Sequence, residues 1–337
     1  MSNTNDTYTP PFAITEEITN LVANIAETIG RISATTSLLP PLKLRKQNRI
    51  KTIHSSLAIE NNTLSLQQVT AIVEGKRVIG APNEIREVKN AIDAYNSLMK
   101  LNPFDEKDLL RTHHIMMDGL VDDAGRYRTG GVGVMGESGL VHIAPPAHRV
   151  PSLMGSLFNW VRSTKTHPLI SSCVFHYELE FIHPFLDGNG RMGRLWQTVL
   201  LMRWNPIFAW IPVETIIKEN QNGYYQAIAH SDNTGQSTGF IAFMLLCLQK
   251  ALLELEISQQ AHQSTPESTL ESTLESTPEK ICALIRQNPG ITINEIANTL
   301  NLNRRGIAKH INNLQAEGVL TRVGPNKGGH WHLNRKP

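Results

Sequence analysis

The chain has 337 residues, of which 40% are apolar and 18% charged, and its formal net charge is +2 at pH 7. This composition excludes a disordered chain, and the length allows two or three domains. The longest apolar run, at 241–248, is too short to span a bilayer, and the first residues do not resemble a signal peptide. Three cysteines far apart in sequence, without a CxxC pair, favour reduced core thiols and a cytoplasmic location.

Apolar residues recur at helical spacing through most of the chain, beginning in TEEITNLVANIAETIGRISATTSLL at 15–39. Comparable patterns predict further helices near 42–59, 65–74, 84–99, 106–120, 149–163, 168–182, 190–203, 221–230 and 236–256. One segment differs: RTGGVGVMGESGLVHIAPP at 128–146 has two short Val-rich runs around GESG, followed by a Pro pair. This pattern predicts a β-hairpin within a mainly α protein.

The stretch HPFLDGNGRMGR, at 183–194, lies between two of the predicted helices. The proline after His183 ends the first helix, and the glycines of DGNG allow a tight turn with exposed amides. Consecutive amides at the start of a helix form a cradle for phosphates. Arg191 and Arg194 are three residues apart and can face one anion, Asp187 can hold a divalent cation, and His183 can accept a proton. The stretch therefore predicts a nucleoside-triphosphate site with an adjacent general base.

The C-terminal part begins after a repeat of STPE and STLE units at 264–279, which cannot form a core and predicts a linker. Residues 280–337 contain nine Lys or Arg and two Glu, a net charge of +7, so the remaining chain carries −5. A helix, a helix–turn–helix with the capping-box residues Thr292 and Glu295, and a final hairpin follow in winged-helix order. The basic charge suggests DNA as a partner, and a protein partner remains open.

The loop stretch resembles the Fic family signature, His-x-Phe-x-(Asp/Glu)-Gly-Asn-Gly-Arg-x-x-Arg, at every constrained position. The resemblance extends from about residue 40 to 250. It implies a Fic-type helical core with a β-hairpin flap, which we place at 105–256. An N-terminal helical region (1–104) would precede this core, and a repeat linker (257–279) and a small winged helix-turn-helix domain (280–337) would follow it.

The family resemblance implies transfer of AMP from ATP to a hydroxyl side chain (Tyr, Thr or Ser) of a protein target, including the chain itself, with Mg²⁺ or Mn²⁺. It makes His183 the base and Asp187 the metal ligand. The implied ATP and phosphate contacts are Gly188, Asn189, Gly190, Arg191, Met192, Gly193 and Arg194, the last at the γ-phosphate.

Two further segments match family elements. The hairpin resembles the flap that docks an extended target segment by strand addition, here through Val132, Gly133, Val134 and Met135. The segment GYYQAIAHSD, at 223–232, resembles the helix beside the adenine. It offers Tyr224 and Tyr225 as stacking candidates, with Asp232 where relatives often carry an amide. Core packing is the alternative role for both tyrosines.

The segment SLAIEN, from Ser56 to Asn61, resembles the family's inhibitory pattern, (Ser/Thr)-x-x-x-Glu-(Gly/Asn). It implies that Glu60 pairs with Arg194 and withdraws this arginine from the γ-phosphate. The alternative is a solvated glutamate at a helix end.

Two functions follow from the sequence. The first is an autoinhibited AMP transferase whose tail localises it or recognises targets. The second is a DNA-binding regulator in which the Fic core senses nucleotides. Removal of AMP from a modified protein, use of other nucleotides, a homodimer, the protein target and the activating signal are left open by the sequence.

Overall fold

The computed structural model describes residues 8–35, 40–136, 139–264, 281–282, 284–286, 288–300, 304–316, 318–324 and 329–334. The chain forms two compact units, residues 1–262 and 263–337. The fold is mainly α, as predicted. Among the helices of these residues, none is long and apolar enough to cross a membrane.

The larger unit contains eleven helices within its described residues: α1 (Glu16–Thr35), α2 (Leu42–Ile59), α3 (Leu66–Val73), α4 (Pro82–Ser97), α5 (Glu106–Met117), α6 (Val150–Ser163), α7 (Pro168–Ile182), α8 (Asn189–Trp204), α9 (Val213–Glu219), α10 (Gln221–Thr234) and α11 (Thr238–Ser264). Ten of them match predicted helices, and only the short α9 was missed. Helix α11 continues into the segment predicted as linker, because ISQQAHQ lacks the Pro and Gly that stop a helix. The end of the first predicted helix, 36–39, lies outside the described residues.

Helices α7 and α8 form the centre of this unit. Nearly every residue of α7 is buried, because apolar side chains lie on every side of the helix and its polar Ser172, His176 and Glu178 are hydrogen-bonded. Pro168 occupies its first turn, where a missing amide costs nothing, and the His167 side chain caps the Leu169 amide. The helix ends at His183, just before the proline, as predicted.

The predicted hairpin is present as strands β1 (Gly133–Gly136) and β2 (Gly139–Ile143). The two strands are antiparallel, with Gly133 opposite Ile143, and the register shifts between Val134 and Met135. Residues 137 and 138, at the predicted turn, lie outside the described residues.

An extended N-terminal segment, residues 8–13, packs against α7 and the start of α11. The Tyr8 hydroxyl donates a hydrogen bond to the Glu178 carboxylate, which is itself buried on α7. The Pro11 carbonyl accepts from the Ser237 amide at 2.9 Å. The segment therefore contacts the helix that ends at His183.

The smaller unit has the winged-helix order that the sequence predicts. Its described part comprises helical residues 281–282 and 284–286, then α12 (Ile293–Thr299), α13 (Arg304–Ala316), β3 (Leu320–Val323) and β4 (His330–Leu333). The predicted capping box of Thr292 and Glu295 is confirmed at the start of α12. The strands are antiparallel, and the buried Trp331 of β4 donates to the Ile291 carbonyl. A separate apolar core stabilises this unit.

Candidate active site

The side chain of His183 projects from the point where α7 ends. This residue adopts a left-handed conformation with φ of 49°, which is uncommon for a residue other than glycine. Its Nδ1 lies 3.2 Å from the Glu180 carbonyl, and since a carbonyl can only accept, Nδ1 carries the proton. The Nε2 lone pair is then available as a base, and the side chain is partly exposed.

The turn between α7 and α8 is closed by its own side chains. Asn189 is buried; its Oδ1 accepts from the Phe185 amide and its Nδ2 donates to the Phe185 carbonyl, both at 2.9 Å. Gly188, with φ of 85°, permits the reversal of the chain. The Asn189 side chain thus shapes the loop, and only its backbone amide remains for a phosphate. The first amides of α8 have no intrahelical acceptors and point out of the helix start.

Arg191 and Asp187 form an ion pair beside this helix start. Arg191 Nη2 lies 2.9 Å from Asp187 Oδ1, and its Nη1 lies 3.4 Å from Glu87 Oε1. No group of three or more His, Cys, Asp or Glu side chains converges into a metal site within the described residues. A single, half-exposed carboxylate such as Asp187 suits Mg²⁺, which takes most of its ligands from phosphates and water.

Arg194 is held by the end of α2. Its Nη2 donates to Glu60 Oε1 at 2.7 Å and to the Ser56 carbonyl at 3.0 Å, while its Nε donates to Ser56 Oγ at 3.1 Å. The Arg194 side chain is 1% exposed and that of Glu60 is 31% exposed. Burial alone would lower the pKa of Arg194, but the Glu60 carboxylate reverses this and leaves that pKa raised. The predicted contact between SLAIEN and the loop is therefore present.

One nitrogen of the Arg194 guanidinium differs from the other two. Its Nη1 is buried, yet it finds no hydrogen-bond partner in the described part of the chain. A buried guanidinium nitrogen without an acceptor is costly, and an anion at the start of α8 would satisfy it.

The two adenine-side candidates on α10 have different environments. Tyr224 is 1% exposed, and its hydroxyl lies 3.0 Å from His176 Nε2, so it is a core residue and not a stacking surface. Tyr225 is 46% exposed, and its hydroxyl donates to the Ile59 carbonyl at the end of α2. Asp232 accepts from the Tyr177 hydroxyl at 2.8 Å, so it contacts α7. Of these two tyrosines, Tyr225 is thus the one that offers a ring face to a base.

The remaining predicted phosphate and flap residues also differ in their surroundings. The Met192 side chain is fully buried in the core, so its phosphate contact can come only from the backbone. Gly193 packs directly against His176 and the Glu180 carboxylate. For the flap, the structure describes the backbone pairing of Gly133, Val134 and Met135; Val132 directly precedes the first strand.

Two buried side chains outside the signature hold the loop from the side of α5. His113 stacks on Phe185 with ring centroids 3.7 Å apart, and its Nε2 lies 3.0 Å from the Asp187 carbonyl. Its Nδ1 accepts from the Gly125 amide, and burial lowers the pKa of His113 to about 4, so the ring is neutral and Nε2 donates. The second residue is Arg128, which donates from Nε to the His183 carbonyl at 2.7 Å.

Neither residue was predicted from the sequence as a site residue. The sequence does show that adjacent histidines on a helix point apart, and His113 is indeed buried while His114 is exposed. No local pattern, however, links residue 113 or 128 to a loop more than fifty positions away.

Comparison with known proteins gives two matched families. Residues 103–201 match the Fic/DOC family, and residues 274–321 match the winged helix-turn-helix DNA-binding family. Two curated relatives are named protein adenylyltransferase Fic. The relative from Drosophila yakuba is 32% identical, and the match covers 62% of this chain and 42% of the relative. The relative from Nematostella vectensis is 29% identical, and the match covers 64% of this chain and 50% of the relative. The chain thus spans half or less of the length of these two relatives.

Solved structures extend the match to nearly the whole chain. A Fic family protein from Desulfovibrio desulfuricans G20 is 44% identical, covers 98% of this chain and 99% of its own, and superimposes with a TM-score of 0.72. A Fic domain containing signaling protein from Bacteroides thetaiotaomicron VPI-5482 shares the fold alone, at 21% identity, with a TM-score of 0.58 over 73% of this chain and 97% of its own. With the loop geometry and a full-length relative in agreement, the chain belongs to the Fic family.

Proposed function

We propose that this protein transfers AMP from ATP to a hydroxyl side chain of a protein target, itself included, and that Glu60 restrains the reaction. The observation that carries the proposal is the placement of His183 next to a helix start flanked by Arg191 and Arg194. A base and a phosphate cradle on one short loop are what nucleotide transfer to a hydroxyl requires.

Each residue of the site has its own role in the proposed reaction. His183 Nε2 accepts the proton of the target hydroxyl, whose oxygen then attacks the α-phosphorus of ATP. The bond from the α-phosphorus to the bridging oxygen breaks, and pyrophosphate leaves. The amides at the start of α8 hold the phosphates, and Arg194 binds the γ-phosphate. Mg²⁺ or Mn²⁺ at Asp187 would offset the phosphate charge.

The contact of Glu60 with Arg194 supports the proposed restraint. While Glu60 occupies Nη2, Arg194 offers the γ-phosphate only its Nη1. Slowing transfer a hundredfold requires about 2.7 kcal/mol. A charge pair with one partner buried can supply this, whereas a fully exposed pair is worth roughly 0–1 kcal/mol.

The position of the label distinguishes AMP transfer from related reactions. We would incubate the Glu60→Gly variant with ATP labelled at the α-phosphate and, separately, at the γ-phosphate. AMP transfer predicts protein labelling from the α-label alone, together with release of pyrophosphate. Labelling from the γ-label would indicate phosphorylation instead, and no labelling in the folded variant would refute the proposal. Loss of label from an already modified protein would support the reverse reaction.

A second candidate function is DNA binding by the smaller unit. The match to a winged helix-turn-helix DNA-binding family and the net charge of +7 in residues 280–337 favour it. We expect DNA binding by the full chain that weakens steeply with salt, because phosphate contacts release counterions. Binding should be measured by fluorescence anisotropy at several salt concentrations. Absence of DNA affinity at low salt would favour protein docking by this unit.

A further inference from the structure

Arg128 is a buried cation whose side-chain hydrogen bonds, within the part of the chain that the structure describes, all go to backbone carbonyls. It lies between α5 and β1 and is 2% exposed. No carboxylate lies within ion-pair distance of it among the described residues, and burial lowers its pKa. Burying a charge is costly unless many hydrogen bonds compensate. The groups that Arg128 binds therefore indicate its role in the structure.

On one side Arg128 binds three consecutive carbonyl groups of the loop. Its Nε donates to the His183 carbonyl at 2.7 Å, and its Nη2 donates to the Ile182 carbonyl at 3.2 Å. The Arg128 backbone amide donates to the Pro184 carbonyl at 2.9 Å. The peptide groups on both sides of His183 are therefore fixed by this one residue.

On the other side the same guanidinium binds the base of the hairpin. Its Nη1 donates to the Gly130 carbonyl at 2.9 Å, and its Nη2 donates to the Pro145 carbonyl at 2.6 Å. Gly130 precedes β1 and Pro145 follows β2, so both stems of the hairpin are attached. Arg128 thus joins the loop of His183 to the hairpin through a planar, rigid group.

The left-handed conformation of His183 gives this link its importance. A residue other than glycine keeps this sparsely populated backbone conformation only where the surrounding structure holds it there. Here the bond from Arg128 Nε to the His183 carbonyl supplies that restraint. A shift of 1 Å at a reacting group can cost about a hundredfold in rate.

We propose that Arg128 is a positioning residue that sets the distance between His183 and the flap, so that a hydroxyl carried by a strand docked on the flap meets the imidazole. This inference rests on the proposed AMP transfer. It predicts that Arg128 controls the transfer step and not ATP binding, because its bonds go to the loop before the phosphate cradle and to the hairpin.

The test compares two Arg→Lys substitutions in the Glu60→Gly background. Arg128→Lys keeps the charge but loses the planar fork. Arg49→Lys is the matched control, because Arg49 is also largely buried and donates to two carbonyl groups, those of Tyr95 and Ala209. Three properties would be measured in each variant: affinity for a non-hydrolysable ATP analogue by calorimetry, single-turnover labelling from α-labelled ATP, and the NMR signal of the His183 imidazole.

We expect Arg128→Lys to slow labelling by roughly ten- to a hundredfold, with affinity for the analogue changed less than threefold and the His183 signal shifted. Arg49→Lys should change labelling less than threefold and leave that signal in place. Unchanged labelling in Arg128→Lys would overturn the proposal, as would a parallel loss of analogue affinity and folding. If the Glu60→Gly parent transfers no label, the proposed function fails, and the His183 signal alone decides whether Arg128 positions the histidine.

Discussion

Two regions of the molecule hold the same loop in different ways. The end of α2 holds a side chain, Arg194, through Ser56 and the carboxylate of Glu60, which is one third exposed. The α5 side holds the backbone, through a neutral His113 and through Arg128, both buried. A charge pair at the edge of water can open without unfolding the core, whereas buried backbone bonds cannot. The α2 side is therefore suited to the proposed regulation of the loop, whereas the α5 side fixes its shape.

The largest expected effect comes from removing the base while both regions stay intact. His183→Ala should lower AMP transfer by about 10²–10⁴-fold, the usual contribution of general base catalysis. Affinity for a non-hydrolysable ATP analogue should remain, because the phosphate cradle follows in the sequence. Label incorporation and calorimetry would measure the two effects.

A second variant controls for the backbone at this position. His183→Asn tolerates the left-handed conformation better than alanine does, so it separates loss of the base from distortion of the loop. Transfer that persists in either variant would contradict the assignment of His183.

Removing the contact between the end of α2 and Arg194 is expected to raise the rate of AMP transfer. Glu60→Gly removes the carboxylate from Arg194 and should increase self-labelling tenfold or more, since about 1.4 kcal/mol of lost restraint gives that factor. Arg194→Ala should not mimic it, because that change also removes the γ-phosphate contact, and the double variant should resemble Arg194→Ala.

The control for the Glu60 variant lies on the next helix. Glu74 occupies the C-cap of α3 as Glu60 occupies the C-cap of α2, so Glu74→Gly introduces the same residue at an equivalent position. We expect no activation there. Equal activation by both variants would mean that helix fraying, not the Arg194 contact, controls the rate.

Two glycines of the loop test whether the α5 side is the rigid one. A Cβ on Gly188 would lie 2.7 Å from Met117 Sδ on α5, at a positive φ, whereas a Cβ on Gly190 would lie 2.4 Å from Glu60 Oε1. Gly188→Ala should therefore lower the free energy of unfolding by about 1–3 kcal/mol. Gly190→Ala should lower it by less, because the Glu60 carboxylate is one third exposed and can move into water, whereas Met117 is fully buried. Urea unfolding midpoints measure both, and equal losses would contradict the distinction between the two regions.

The smallest effect should come from weakening the α2 side without touching Glu60. The Tyr225 hydroxyl and Gln221 Nε2 both donate to the Ile59 carbonyl, next to Glu60. Tyr225→Phe removes one of these bonds, worth about 1 kcal/mol, and should raise transfer a few-fold while the ring remains for the nucleotide. A rise in transfer as large as that of Glu60→Gly would contradict this prediction. So would a rise no larger than the error of the labelling assay, because either result would show that the bond does not restrain transfer in proportion to its strength.

Local sequence patterns predicted the parts of the site that neighbouring residues determine. The helix end at His183 follows from the next residue being proline, and the hairpin follows from the two Val-rich runs. The contact between Glu60 and Arg194 came from two motifs that the family places together.

The details that the sequence left open or missed depend on contacts between distant segments. Tyr224 and Tyr225 are adjacent, and only the rotation of α10 against α7 decides which one is buried. Asn189 was predicted as a phosphate contact, and its side-chain amide group closes the turn on Phe185, which leaves its backbone amide for that contact. Arg128 is 55 positions from His183, and no spacing rule in the sequence connects them.

The Tyr8–Glu178 contact under the N-terminal segment has a consequence for proton binding. Burial raises the pKa of Glu178 from 4.5 to about 7, although the bond from Tyr8 partly opposes the rise. The folded chain therefore holds a proton near neutrality that the unfolded chain has already released.

The resulting stability is fully present below pH 4.5 and is lost as the pH rises through 7, by about 3 kcal/mol for a shift of that size. Glu178→Gln has no such proton, so its stability relative to the parent should increase between pH 5 and 8. Because the Tyr8 hydroxyl donates to this carboxylate and favours its charged form, the N-terminal segment limits both the rise in the pKa of Glu178 and the loss of stability in mildly alkaline solution.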